Sequence, residues 1–208
     1  MQRIWTALMG LIVIAGQAGA QPATAPDSRI VSGVYEDSLL IGFDPATGVV
    51  SGYFNEERGE QPSFSCIFYL KGPLQGAEAP IETWFPETPA DDVVKGRLAV
   101  SAQGRLQIGL QQEHGGCWNV QHFADSKDPA EFSLHAARPW RSIAVVKSGK
   151  AYFFDTPASP AHRKAYLVKG DGVGVRAARP GWLQVDFVGG ARQVSGWIRQ
   201  SDVYPARP

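Results

Sequence analysis

The residues His114-Gly115-Gly116-Cys117-Trp118-Asn119-Val120-Gln121-His122-Phe123 gather the most reactive side chains of the chain into ten positions. A cysteine flanked by histidines admits three chemistries. A thiolate could act as a nucleophile, given a depressed pKa and a base within hydrogen-bond reach. His114, Cys117 and His122 could hold a metal. Cys117 could instead be half of a disulfide.

The spacing discriminates among these. "CWNVQHF" alternates like a strand, which would point Cys117 and His122, five residues apart, to opposite faces. Cys-Trp also stands beside the active cysteine of papain-like proteases, but a helix follows there and none is expected here. A structural zinc site normally takes four ligands, often paired as C-x2-C, and no fourth is evident. The chain has two cysteines, Cys66 and Cys117. A bridge between them would close a loop of about 50 residues, worth on the order of 4 kcal/mol in the chain-entropy model. The expectation is therefore a Cys66–Cys117 disulfide, with no catalytic residue, no metal and no cofactor.

The compartment agrees with a bridge. Met1-Gln2-Arg3, the apolar run Ile4–Ala15 and Ala18-Gly19-Ala20 form a secretory signal pattern, with the mature chain beginning at Gln21. The apolar run is short for a membrane span, which needs about 20 residues. A periplasmic or secreted protein with no stable membrane span after processing is expected. No G-x-S-x-G, H-E-x-x-H or G-x-x-x-x-G-K pattern is present.

The elements that must position these residues are strands. Short alternating apolar runs recur, Gly 23 and Pro 15 punctuate them, and no long stretch keeps helical spacing. Strands are predicted near 38–43, 49–55, 63–70, 81–85, 96–101, 105–110, 117–123 and 131–135. Asp44–Gly48 and Ala102-Gln103-Gly104 are turns between them. In 63–70 both faces are apolar, so that strand is central. The fold class is all-β: an antiparallel meander, barrel or sandwich, over 21–141, followed by a second module over 142–208.

Charge divides at the same boundary, near Arg138-Pro139-Trp140-Arg141. From Gln21 to Arg141 there are 9 basic and 16 acidic residues, net −7; from Ser142 to Pro208 there are 10 and 4, net +6. The two modules either attract one another or meet different partners. The basic module is modest in charge and exported, so nucleic acid is not an expected partner.

In the second module, strands are predicted at 143–147, 151–154, 165–170, 172–176, 182–187 and 196–198. The run "AYFFDTP…RKAYLVKGDGVGVR…GWLQVDF…GWIRQSDVYP" resembles a bacterial Src-homology-3-like domain over roughly the last 60 residues. The resemblance implies a small barrel that binds cell-wall material, peptides or a neighbouring domain without catalysis of its own. Independently of it, the Pro-rich loop Asp155–Arg163 and the turn before Trp182 are expected to bound a groove. His162, Arg163, Arg176, Arg179 and Trp182 are its candidate ligand-binding residues, an aromatic platform beside positive charge. Trp197 is expected to pack, and Trp182 could face the groove.

The leading expectation is a non-catalytic exported binding protein of the cell envelope. Its partner would be an envelope protein, such as a cell-wall hydrolase or toxin that it inhibits, or cell-wall material. The alternatives are a cell-wall hydrolase targeted by its C-terminal module, and a small-ligand carrier if the first barrel is hollow.

Overall fold

Alternation along the chain becomes a meander in the computed structural model, which describes residues 29–205 except 61–63, 90, 126 and 190–191. The predicted signal segment 1–20, Gln21 as the expected start of the mature chain, and the expected hairpin tip at 190–191 lie outside the described residues.

Seven consecutive strands pair antiparallel with their sequence neighbours: β1 (Gly33–Tyr35), β2 (Leu39–Asp44), β3 (Val49–Arg58), β4 (Phe64–Pro73), β5 (Glu78–Trp84), β6 (Val94–Val100) and β7 (Leu106–Leu110). β8 (Ala130–Phe132) then pairs with β7, and β9 (Leu134–Ala137) pairs with β1. Only Ser133 separates them, and its carbonyl accepts the Glu36 N–H at 3.0 Å. The last strand of the meander thus reaches its first, and the sheet is a nearly closed barrel, which leaves little free edge.

The interior of this barrel is filled. Leu39, Ile41, Phe54, Phe68, Leu70, Leu98, Ile108 and Phe123 are all fully buried in one cluster. Phe54 meets Phe68 at 5.3 Å and Phe123 edge-on at 5.0 Å, within the usual range for ring pairs. The carrier alternative required a hollow barrel. Cavities of about 750 and 630 Å³ lie instead on its outside, one between the modules beside Tyr69 and Ile143, one over β4–β6 beside Gly72 and Gly96.

The second module is built from β10 (Ser142–Val145), β11 (Ala151–Tyr152), β12 (Tyr166–Leu167), β13 (Gly172–Arg179), β14 (Trp182–Gly189) and β15 (Arg192–Arg199), with a 3-10 turn at Gln200–Asp202. Its main sheet has the order β10-β13-β14-β15; β11 and β12 form a separate pair. Val146–Val203 and Phe154–Trp197 bridges tie the pieces together. Val146, Phe153, Leu167, Val173, Val185 and Ile198 form a core of its own. Pro180-Gly181 closes the β13–β14 hairpin with Gly181 at φ +77°, where Pro fixes the first turn residue and Gly takes the positive φ of the second.

A third apolar cluster joins the modules. Val34, Tyr53, Tyr69 and Trp84 on the outer face of the barrel pack against Trp140, Ile143 and Val145. The two-sided apolarity of 63–70 has this cause: Phe68 and Leu70 face inward, while Ile67 and Tyr69 face the second module. Tyr69 Oη donates to the Ile143 carbonyl at 2.7 Å, and Tyr53 Oη to the Gly170 carbonyl at 3.1 Å. Lys169 meets Glu87 at 2.8 Å, an ion pair between the basic and acidic halves.

One predicted strand is absent. Cys117–Asn119 is a single 3-10 turn within a long connection, and 117–123 pairs with no strand. Gly116 takes φ 86°, and Val120 and Gln121 both donate to the Cys117 carbonyl. A chain turning back on itself cannot also extend, whatever its apolar alternation.

Candidate functional site

Cys66 and Cys117 are joined, with Sγ–Sγ 2.01 Å and Cα–Cα 4.3 Å. Cys66 sits on β4 facing the core, and Cys117 begins the 3-10 turn lying over that strand. Both sulfurs are fully buried in the first core. The thiol needed for a nucleophile or a metal ligand is therefore consumed.

The histidines of the opening segment have structural partners. His114 is buried, stacks on Phe68 at 5.2 Å, and lies 2.7 Å by Nε2 from Thr83 Oγ1. Thr83 gives its one hydroxyl hydrogen to the Val94 carbonyl, so the bond from Nε2 must be a donated one. Burial holds the His114 pKa below the ordinary histidine value, against the raising influence of Asp92 and Glu113. His122 lies edge-on to Trp118 at 4.6 Å with Nδ1 3.5 Å from Glu113.

In the second module the five candidate residues separate into two groups. His162 and Trp182 converge. His162, on the Pro-rich loop, stacks on Tyr152 at 4.0 Å and meets Phe154 edge-on at 6.1 Å. Phe154 meets Trp182 edge-on at 4.9 Å, and Tyr152 meets Tyr166 at 5.5 Å. The rings Tyr166, Tyr152, His162, Phe154 and Trp182 thus run in one row. Strand pairing explains the far end of it: Arg179, Trp182 and Arg199 are register partners across β13, β14 and β15, and directly opposed residues share a face.

Cations sit on these rings. The Arg199 guanidinium is 5.4 Å from the Trp182 ring centre and 5.7 Å from that of Phe154. Arg179 lies 5.2 Å over Trp197, and Lys150 5.0 Å over Tyr166. Such distances are within the reach of cation–π attraction. Trp197 is buried, as its predicted packing role required; Trp182 is half-buried. Arg199 and Lys150 were not among the predicted residues. Arg199 follows "GWI", where the two-residue period puts it on the face of Trp197 rather than that of Ile198, a signal that was available in the sequence.

The other candidates are occupied. Arg163 reaches Asp155 with Nε at 2.7 Å and donates from Nη1 to the Ser195 carbonyl at 2.7 Å, so it fastens the Pro-rich loop to β15. Arg176 is the bulged residue of β13, where the register to β14 shifts. Its Nε donates to Asp186 Oδ2 at 2.7 Å, an atom that also accepts Trp140 Nε1 at 2.8 Å, while Ser195 Oγ donates to Oδ1 at 2.6 Å. Burial pushes the Asp186 carboxyl up, but the bonds from Ser195, Trp140 and Arg176 outweigh it and hold the pKa below the usual carboxylate range. Arg176 thus belongs to the junction between modules and not to the row of rings.

Comparison with known protein families, with curated proteins and with solved structures finds no match for this chain.

Proposed function

We propose that this chain is a non-catalytic exported binding protein of the cell envelope, and that it binds through the ring-and-cation face of the second module. The observation that carries this reading is the row Tyr166–Tyr152–His162–Phe154–Trp182 with Arg199 and Lys150 against its rings. Flat rings offer large contact area with few rotatable bonds, and the cations add attraction for carboxylates and phosphates. A cell-wall fragment, with apolar sugar faces and acidic groups, suits that combination; so does an acidic protein surface. Within the row Tyr166 and His162 are exposed, Tyr152 and Trp182 are half-buried, and Phe154 is buried beneath them, so a ligand would meet the first four rings and Phe154 would back them. The joined cysteines remove Cys117 as a nucleophile for the alternative of a cell-wall hydrolase targeted by its C-terminal module.

Sedimentation with purified cell-wall sacculi, and capture of isolated acidic envelope proteins, test the proposal in parallel. Trp182→Ala and Arg199→Glu should each weaken whichever binding the wild type shows by about tenfold or more, the scale of a lost aromatic or charged anchor. Thermal midpoints near the wild-type value would exclude unfolding as the cause. Binding unchanged in both variants would reject this face as the site.

A further inference from the structure

The disulfide end of the first barrel carries a second surface of different chemistry. Trp118 is 67% exposed, more than any other large hydrophobic side chain described. A single exposed hydrophobe is ordinary on a protein surface. What distinguishes Trp118 is how firmly its backbone is held. Cys117 is bonded to Cys66, and Gly116 lies so close against the Ser65 carbonyl that any Cβ there would collide. Val120 N–H donates to the Cys117 carbonyl at 2.8 Å. The Glu113 carboxylate accepts the N–H groups of Phe123 and Ala124, both at 2.9 Å. The His122 ring braces the indole edge-on. Phe64, two residues before Cys66 at the start of β4, is also exposed at this end.

The surroundings are one-sided in charge. The connections 59–63, 85–93 and 111–129 between the strands at this end carry seven carboxylates against one lysine, Lys127, and of the seven Glu87 is paired with Lys169 of the second module. The connections at their opposite ends, 45–48, 74–77 and 101–105, carry no carboxylate and one arginine, Arg105. Glu113, whose carboxylate accepts the Phe123 and Ala124 N–H groups and lies 3.5 Å from His122 Nδ1, sits within the disulfide loop itself.

We propose that this end of the barrel docks a partner protein whose basic surface surrounds an apolar pocket that receives the Trp118 indole. A tryptophan on a pre-fixed loop loses little freedom on binding, and buried tryptophans are among the commonest interface anchors. The carboxylates select a basic partner and speed its encounter. The surface lies on a different module from the ring-and-cation face and has the opposite charge preference, so the chain would join two ligands of opposite charge.

The test places a photo-crosslinking amino acid at position 118 of the full chain in producing cells, then purifies the captured protein and titrates it calorimetrically. The expected adduct is a protein of net positive charge. Trp118→Ala should weaken its binding about thirty-fold, or about 2 kcal/mol. Asp91→Lys with Asp92→Lys should weaken it and flatten its salt dependence, while Arg199→Glu leaves it at the wild-type value. Trp118 is exposed, so its alanine variant should keep the wild-type thermal midpoint. No adduct, an acidic adduct, a second copy of this chain, or a Trp118→Ala affinity within about twofold of wild type overturns the proposal.

Discussion

At the scale of single residues, His114 shows how a group suited to catalysis is taken into packing. Its ring stacks on Phe68, its Nε2 bonds Thr83, and burial depresses its pKa. The native ring therefore stays neutral at pH values where the unfolded chain, with a histidine pKa near 6.5, already binds a proton. Stability from this group is fully present above about pH 6.5 and falls as pH drops from there toward the lower folded-state value. His114→Phe should keep the stack, lose about 1 kcal/mol with the Thr83 bond at neutral pH, and flatten the stability profile between about pH 7 and 5. Urea unfolding of both proteins across that range checks this; an unchanged slope would assign the pH dependence to other groups. The pairing of Cys66 with Cys117 was legible from the count of two and the expected export. The partners of His114 were not, because Thr83 and Phe68 are distant in sequence and meet it only through the turn after Gly116.

At the scale of elements, the bulge at Arg176 turns an exposed strand residue toward the buried Asp186. Three donors from three segments, Trp140, Arg176 and Ser195, converge on that carboxylate. Asp186→Ala should cost about 3 kcal/mol, because it leaves a guanidinium and an indole N–H without their acceptor. Since the folded-state pKa is lowered, the wild-type advantage over this variant is present above about pH 4 and disappears as pH falls through the folded value. Denaturant midpoints of the two proteins at pH 7 and pH 3 measure it; an equal gap at both would mean that the carboxylate charge is immaterial. Alternation read from sequence located β2 to β7 and β13 to β15 to within a few residues, because alternate residues of these strands enter a core, and β4, apolar on both faces, is still bounded by turn residues. It missed β1, whose three residues are too few to show a period, and the break at Ser133, which closes the barrel. It failed at 117–123, where two glycines and the disulfide bend an alternating run into a turn. Within the ring row, Trp182 and His162 were legible as an aromatic beside a loop, whereas Arg176 was misplaced because a bulge changes which way a side chain points without changing the sequence period.

At the scale of the whole molecule, the chain has two cores and a third cluster shared between them. The charge reversal at 138–141 falls between the residues of the two cores, but the two halves are not held by charge alone. Trp140, only 1% exposed, lies against Gly174, where a Cβ would collide with its indole, and donates to Asp186. It therefore belongs structurally to the second module although it precedes that module's first strand. Residues 142–208 contain the whole of the second core and should unfold cooperatively by themselves. Residues 138–208, which retain Trp140, should be more stable, by less than the about 3–5 kcal/mol of a fully buried tryptophan because the barrel covers part of this ring in the intact chain. Both fragments expose Ile143 and Val145, which the barrel covers in the full chain, so both should fall below the intact protein. Urea titrations followed by far-ultraviolet circular dichroism would compare the three. A folded 138–208 beside an unfolded 142–208 would move the boundary ahead of Trp140. Two unfolded fragments would mean that the shared cluster, with Tyr53, Tyr69 and Trp84 on its other side, is indispensable to the second module and that the two halves fold as one.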